Sequence, residues 1–445
     1  MPRSLAYLDL ADRFRKGETS PSRELAARLK RLDEVEPTLK AFVHVARDAA
    51  LAAAKASDER WQRGAPLSAI DGMPIGIKDI IETADMPTGQ GSPSWEGTRT
   101  HRDAASVFAL RQAGAIILGK TTTTEFAAAA TFAPTTNPHD PERTPGGSSS
   151  GSAAAVGAGV LPAGLGTQVI GSILRPASFC GAVGYKPSFG AINRGGSYDG
   201  LSQSAQGVLA ATPSDAWTVL SAIANRVGGD AGFPGLEGPL LPPAAKAPKR
   251  LGLIQTAGWD KTTPGARQAM EGARKRLSDL GIAIADRTDD PEIEALEQAL
   301  APVQALSLKI NAWECIWSLG GVDQSHARTM SPNARDRLAQ GLAMTIEDYR
   351  GLLRERQQIR ERFAATISGF DALITLAASG AAPKGLTFTG ETGMIVPGSL
   401  LGGPAIALPL LADEGLPLGL QLLGKTNRDA DLMAVAQWLW QNYEG

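Results

Sequence analysis

A loop of serines and glycines is the first feature of this sequence that could carry chemistry. Residues 145–152 read PGGSSSGS and lie in a run of 31 consecutive uncharged residues, 144–174. The run holds eight Gly, two Pro and seven Ser or Thr, a composition that excludes a membrane-spanning helix. A serine hydroxyl becomes a nucleophile when an adjacent base activates it, and glycines let a substrate approach the backbone closely.

Three interpretations stay open when this loop is read alone. A phosphate-binding loop fits Gly146-x4-Gly151, but Ser152 stands where that pattern requires lysine. A nucleophile elbow fits the letters G-x-S-x-G at 147–151. However, residues 137–145 before it contain three Pro instead of a strand, and the only later histidine is His326. A flexible linker explains the composition, but not the apolar residues that continue the run.

The end of the uncharged run resembles a known family. Residues 166–190 read GTQVIGSILRPASFCGAVGYKPSFG, which is similar to the defining segment of the amidase signature family of serine hydrolases. Further matches lie at 72–79 (GMPIGIKD), at 114–121 (GAIILGKT) and, near the C-terminus, at 402–405 and 415–424. The resemblance covers most of the chain and is weaker between about 228 and 369.

The resemblance implies a catalytic triad of Lys78, Ser148 and Ser172, with a cis peptide between Gly147 and Ser148. In such a triad Ser172 attacks the acyl carbonyl, Ser148 relays protons and Lys78 is the base. A lysine base must be neutral, and burial in an apolar strand lowers the pKa of a lysine. The implied oxyanion hole consists of the backbone N–H groups of Val169, Ile170, Gly171 and Ser172.

The segment around Ser172 departs from the usual family pattern. Where most members have D-T-G-G-S-I-R, residues 168–175 read QVIGSILR, which looks like the branch that includes malonamidase-type enzymes. Ile170 cannot comfortably adopt a positive φ, so the loop should keep ordinary backbone geometry there. Arg175 has two open interpretations, because it could pair with a buried carboxylate or clamp a carboxylate of the substrate. Gln168 and Trp313 are further candidate substrate contacts.

The resemblance implies an amidase-type hydrolase that cleaves the C–N acyl bond of a small amide, anilide or carbamate, with esterase or urethanase side activity. Two alternatives stay open: a glutamyl-tRNA amidotransferase A-type subunit, and a catalytically inactive amidase-like binding protein. Substrate choice is expected to depend on residues 88–95, 124–136 and 301–344. The last segment contains Trp313, Trp317 and Met330, and residues 375–393 could form a lid.

Composition and charge argue against several other classes of protein. The chain has 44 basic and 46 acidic residues and a net charge of -2, so no polyanion-binding surface is expected. Two Cys and four widely separated His give no basis for a disulfide scaffold or a metal site. We therefore expect a small-molecule substrate, no cofactor, no metal, no nucleic acid and no membrane partner. We also expect a monomer or homodimer, and a cytoplasmic location because the N-terminus lacks an apolar signal segment.

Helices and strands alternate along the chain. Apolar periodicity predicts helices at 5–15, 20–32, 47–63, 104–113, 264–280, 346–367 and 429–443. It predicts strands at 73–81, 115–118, 282–286, 370–375, 404–411 and 416–423. This alternation predicts an α/β fold in one large domain, 1–445, with a mixed central β-sheet covered by helices on both faces. A Pro-rich segment at 234–248 marks the start of a variable helical cap or insertion at about 240–370.

Overall fold

A single mixed β-sheet organises the protein. The computed structural model describes residues 6–127, 133–326 and 330–443, and within them the sheet has eleven strands in the order β1-β3-β2-β4-β6-β5-β10-β11-β9-β7-β8. The strands are β1 Phe42–Val45, β2 Pro74–Lys78, β3 Ile116–Thr121, β4 Ala163–Gln168, β5 Val183–Lys186, β6 Ala205–Ala210, β7 Arg250–Leu253, β8 Ala283–Ala285, β9 Ala372–Leu376, β10 Ala405–Asp413 and β11 Leu416–Leu423. The predicted α/β fold with a mixed sheet is confirmed.

Helices cover both faces of the sheet. They are α1 Tyr7–Arg15, α2 Pro21–Leu39, α3 Arg47–Gln62, α4 Ala105–Gln112, α5 Ser150–Gly157, α6 Leu174–Cys180, α7 Pro213–Val227, α8 Pro264–Asp279, α9 Pro291–Leu300, α10 Val303–Glu314, α11 Ile316–His326, α12 Pro332–Leu342, α13 Ile346–Ile367, α14 Val396–Leu400 and α15 Asp429–Asn442. No helix among these described residues is long and apolar enough to cross a membrane.

The centre of the sheet brings together two segments that the sequence singles out. β2 pairs in parallel with β4, with Ile77 opposite Leu165, so both strands end at the same edge of the sheet. Every residue of β2 and of β4 is buried. Parallel strands covered on both faces are typically continuous apolar runs, and here a lysine, Lys78, closes one of them. The carboxyl edge of these two strands is therefore where a buried polar site is expected.

The uncharged run folds into the layer directly against this edge. α5 is buried along almost its whole length, and α6 is buried completely. Small residues permit this close packing: a β-carbon on Gly151 would lie 2.1 Å from the Ala41 carbonyl oxygen and 2.4 Å from the Thr122 nitrogen. The lack of charge thus follows from burial, since an unpaired charge in this layer would be costly.

The range 240–370 differs from a purely helical insertion. It contains α8 to α13, but it also supplies β7 and β8, which extend the edge of the main sheet through a parallel pair between β7 and β9. α11 and α12 contribute to a separate small hydrophobic cluster around Leu319 and Leu338, against which Phe126 and Leu201 pack. The single-domain organisation with a cap in this range stays a prediction.

The packing of α5 gives a test of the close contact at Gly151. Replacing Gly151 with Ala should lower the free energy of unfolding by about 1–3 kcal/mol, because the two nearest atoms that the new methyl group meets belong to the backbone and cannot rotate away. Gly272 is the matched control, since it also lies in a helix but is exposed, with no neighbour within 4 Å. Gly272→Ala should raise the free energy of unfolding by about 0.5–1 kcal/mol.

Urea denaturation followed by circular dichroism measures both variants, with a change in midpoint at constant slope reporting stability alone. Equal effects at the two glycines would contradict the packing argument.

Candidate active site

Lys78 lies at the centre of a buried polar cluster. Its side chain is fully buried, and Nζ lies 2.7 Å from Ser148 Oγ and 2.8 Å from Thr167 Oγ1. Nζ also donates to the Thr167 carbonyl at 3.3 Å. Thr167 belongs to β4, so the parallel pairing of β2 and β4 sets the distance between the amine and its partners.

Burial controls the charge of this amine. It lowers the pKa of Lys78 to about 7, while the carboxylate of Asp199 acts in the opposite direction. Asp199 is itself buried and accepts hydrogen bonds from Ser197 Oγ (2.6 Å) and Ser204 Oγ (2.9 Å). A desolvated lysine with this pKa is neutral in a large fraction of molecules near pH 7, and a neutral amine can accept a proton.

Ser148 and Ser172 line one cavity of about 260 Å³. Ser148 follows a cis peptide bond after Gly147, the conformation that the family resemblance implies. The two serine segments are joined by a hydrogen bond from the Ser149 N–H to the Ser172 carbonyl (3.3 Å). Both serine side chains are almost completely buried, so a substrate that reaches them loses most of its contact with bulk water.

The backbone from Val169 to Ser172 also lines this cavity. The amide N–H groups of these four residues have no hydrogen-bond acceptor within the described ranges 6–127, 133–326 and 330–443. Ile170 does not adopt a positive φ, as the steric argument predicts. A β-carbon on Gly171 would lie 1.8 Å from Ile395 Cδ1, so glycine is needed for the close approach of this loop to α14.

Gln168 positions this loop and does not contact the cavity. Its Oε1 accepts the N–H groups of Ile173 and Leu174, each at 3.0 Å, and its Nε2 donates to Ser399 Oγ at 3.0 Å. The side chain is fully buried and absent from the cavity wall. The predicted substrate contact is therefore replaced by a structural one, because both ends of the carboxamide are already bound within the protein.

Arg175 lines the cavity and is buried, with 5% of its surface exposed. It donates to the carbonyls of Gly147 (2.8 Å) and Gly390 (2.7 Å) and to Thr389 Oγ1 (2.9 Å). These acceptors are uncharged, so the structure does not show the pairing with a buried carboxylate that one interpretation predicts. Burial lowers the pKa of Arg175 to about 10, which leaves the guanidinium charged at neutral pH.

Trp313 does not line the cavity of Ser148 and Ser172. Its ring stacks on Tyr349 with the centroids 5.4 Å apart, and it lines a different, open cavity. Met330 is buried in the small cluster of α11 and α12 rather than in the cavity wall. The sequence patterns of these residues did not distinguish helix-packing contacts from substrate contacts, since both require large apolar side chains.

The cavity wall also contains residues that no sequence motif marks. They are the buried polar side chains of Asp199 and Asn311, the guanidinium of Arg337, and apolar groups from Leu201, Leu308 and Phe388. Asn311 and Arg337 fall within the broad segment 301–344, and Phe388 falls in the predicted lid segment. Residues 128–132 of the segment 124–136 lie outside the described part of the chain.

Among the described residues, no group of three or more His, Cys, Asp or Glu side chains could hold a metal ion.

Comparison with known proteins finds one family over most of the chain. The profile of the family described as Amidase matches residues 24–433. The A-type subunit of the glutamyl-tRNA(Gln) amidotransferase of Chloroflexus aurantiacus is 34% identical, and the match covers 92% of this chain and 90% of that protein.

Solved structures show the same fold over nearly the whole chain. A crystal structure of an amidase is 28% identical with a TM-score of 0.86, covering 98% of this chain and 99% of that one. The peptide amidase of Stenotrophomonas maltophilia is 26% identical with a TM-score of 0.80, covering 99% of this chain and 97% of that one. Because the family profile covers most of the chain and the relatives named above match 92–99% of it, this protein belongs to the amidase signature family.

Proposed function

We propose that this protein hydrolyses the C–N acyl bond of a small amide, anilide or carbamate. The observation that carries the proposal is the buried amine of Lys78, which lies 2.7 Å from Ser148 Oγ beside the cavity that Ser148 and Ser172 both line. A neutral lysine, a relay serine and a second serine exposed to one small cavity form a complete set of groups for nucleophilic acyl transfer.

We propose that protons move along a path from Ser172 through Ser148 to Lys78. Neutral Lys78 accepts the Ser148 hydroxyl proton, and Ser148 accepts the Ser172 proton as Ser172 Oγ attacks the carbonyl carbon. When the C–N bond breaks, Ser148 returns a proton to the leaving nitrogen and recovers one from Lys78. Water then attacks the Ser172 acyl ester by the same path in reverse, which releases the acid and restores the free enzyme.

The loop from Val169 to Ser172 supplies the stabilisation of the transition state. Its amide N–H groups have no acceptor among the residues of the described structure, so they are free to donate to the oxyanion that forms on the substrate carbonyl. Gln168 holds the start of the following helix and Gly171 packs against Ile395. Donors fixed before the reaction need no reorganisation during it, which is the main source of their catalytic effect.

The altered signature is compatible with the malonamidase-type branch, and we propose that assignment for the chain. Gln168 and Ile170 replace the aspartate and glycine of the common pattern, yet the loop keeps ordinary backbone geometry and its free amides. Arg175 lines the cavity, and its Nε has no hydrogen-bond partner among the residues that the structure describes. We propose that its other hydrogen bonds position the loops at Gly147 and Gly390, while Nε stays available for a substrate acceptor.

A second candidate function is the A-type subunit of a glutamyl-tRNA amidotransferase. It is favoured by the 34% identity to such a protein from Chloroflexus aurantiacus over nearly the full length of both chains. That assignment would require partner proteins and a charged tRNA as acceptor. The net charge of -2 shows no basic excess for binding a polyanion, so a free-standing hydrolase is the function that we propose first.

The Lys78 base predicts a specific pH dependence. Since the amine must be neutral to accept a proton, and since burial brings its pKa to about 7, kcat/KM for an amide should rise with pH through about 7 and level off above it. Lys78→Met should lower kcat/KM by about 10²–10⁴-fold and remove this titration. Initial rates across pH on a soluble amide measure both effects, and a variant that keeps the wild-type pH profile would refute the role of Lys78.

The nucleophile assignment predicts selective covalent labelling. A fluorophosphonate probe should label the wild-type protein at Ser172, and both Ser172→Ala and Ser148→Ala should lose the label. Ser150→Ala is the matched control, because Ser150 lies in the same loop but its hydroxyl donates to the Gly146 carbonyl (2.8 Å). Mass spectrometry locates the adduct. Labelling that persists in Ser172→Ala, or that is equally lost in Ser150→Ala, would contradict the triad.

The two candidate functions predict different requirements for turnover. A free-standing hydrolase should release ammonia or amine from small amides as the purified single chain, with no tRNA and no partner protein added. An amidotransferase component should instead show amide turnover that depends on its partners. Coupled detection of ammonia over a panel of primary amides, anilides and aryl carbamates measures the difference. Turnover confined to a mixture containing charged tRNA and partner proteins would favour the second function.

A further inference from the structure

A second cavity lies beside the catalytic one and shares Phe126 with it. It encloses about 490 Å³ and is lined by three further aromatic side chains, Trp95, Tyr198 and Trp317. We call this space the aromatic pocket and define it by these four aromatic residues together with Gln90. None of the groups in the proposed proton path lies in it, so the hydrolysis mechanism leaves it without a role.

The aromatic pocket has the chemistry of a site for a flat apolar group. Trp95 and Tyr198 meet edge to face with their ring centroids 5.0 Å apart, which fixes one wall. Trp317 is 88% exposed and is the most exposed large hydrophobic side chain of the described residues. An indole that projects into solvent beside other aromatic rings offers a face on which a ligand ring can stack.

Gln90 supplies a polar anchor in this apolar wall. Its side chain is 96% buried, and its Nε2 has no acceptor within the described part of the chain. The backbone holds it in place, because the Gln90 N–H donates to the Asp79 carbonyl (2.9 Å) and the Gln90 carbonyl accepts from the Phe126 N–H (2.8 Å). A fixed buried donor without a partner indicates that an acceptor atom of a ligand forms the missing hydrogen bond.

The backbone places the aromatic pocket on the Ser148 side of the catalytic cavity. The Thr124 N–H donates to the Ser148 carbonyl (3.4 Å), and Phe126 follows only two residues later. Gln90 is bonded to Asp79, the residue next to Lys78. In the proposed mechanism Ser148 delivers the proton to the leaving nitrogen, so a group attached to that nitrogen points from Ser148 past Phe126 towards the aromatic pocket.

We propose that the aromatic pocket binds an aromatic ring carried on the leaving nitrogen of the substrate, and that Gln90 donates a hydrogen bond to an acceptor substituent on that ring. The preferred substrates are thus N-aryl amides, which water splits into a carboxylic acid and an aryl amine. This inference rests on the proposed hydrolase function. It adds that the enzyme recognises the amine part of the substrate, which leaves when the C–N bond breaks. It unites parts of the three segments, 88–95, 124–136 and 301–344, in which substrate choice is expected to lie.

Paired substrates test the proposal. Trp317→Ala and Trp95→Ala should each lower kcat/KM for acetanilide by at least about tenfold, since a stacked ring contact is lost, and should leave kcat/KM for acetamide unchanged. Gln90→Leu should lower kcat/KM for 4-nitroacetanilide more than for acetanilide, because only the nitro group offers Gln90 an acceptor. Trp313→Ala is the matched control, since Trp313 lines a different cavity and should leave the ratio of acetanilide to acetamide unchanged.

A binding measurement separates this proposal from the hydrolase function. Ser172→Ala cannot form the acyl-enzyme, yet it should still bind 4-nitroaniline saturably in saturation-transfer NMR, and adding Trp317→Ala should abolish that binding. If the enzyme hydrolyses acetamide, but kcat/KM for anilides does not depend on Trp317, Trp95 or Gln90, the aromatic pocket is overturned and the hydrolase function is not. Saturable binding of 4-nitroaniline without turnover of any amide would overturn the hydrolase instead. Absence of binding would overturn the pocket.

Discussion

The desolvation of one lysine amine is the constraint on which the rest of the structure depends. Lys78 closes a completely buried strand, and burial brings its pKa down to about 7. A charged ammonium group would need counter-charges, and the surrounding layer has almost none. The neutral amine instead requires only short contacts to hydroxyl and carbonyl groups, which Ser148 and Thr167 provide. Both the proposed role of Lys78 as a base and its burial therefore require uncharged residues around the amine.

The uncharged run of 31 residues meets this requirement for uncharged surroundings. β4, α5 and α6 form one buried layer around the two serines. Acidic side chains within it would stabilise the ammonium form of Lys78, and any unpaired charge would cost desolvation energy. Arg175, which directly follows the run, is the exception. Its guanidinium is stabilised by hydrogen bonds to main-chain carbonyls and a hydroxyl. Glycines such as Gly151 and Gly171 then let backbone segments approach each other within distances that a β-carbon would prevent.

The candidate site depends on loops that two different strands position. The segment from Thr124 to Phe126 leaves β3 and contacts the Ser148 carbonyl, while the segment around Gln90 is bonded back to Asp79 at the end of β2. The buried pair of Lys120 and Asp79, 3.3 Å apart, joins these two strands at the same level. As a result, the ends of β2 and β3 support both the cavity of Ser148 and Ser172 and the aromatic pocket, although the walls of the two come from segments far apart in the chain.

Local patterns were sufficient for much of the fold. The predicted strands 416–423 and 404–411 and the predicted helices 346–367 and 47–63 agree with β11, β10, α13 and α3 within a few residues, because apolar periodicity is a local property. The range 240–370 was more difficult. The predicted strand 282–286 contains β8, but no strand was predicted at β7. β7 has four residues, which give too few alternating positions to distinguish it from a loop.

The sequence by itself determined the family and the fold class, and it predicted Lys78, Ser148 and Ser172 as the catalytic residues, since motif spacing and residue type are properties of the chain order. Only the tertiary structure decided what surrounds them. Gln168 turned inward to bind Ile173 and Leu174, Trp313 stacked on Tyr349, and Thr167, Asn311 and Phe126 came to the site from separate elements. The physical reason is that a side chain's partners depend on strand register and helix packing, which bring together residues that no local pattern relates.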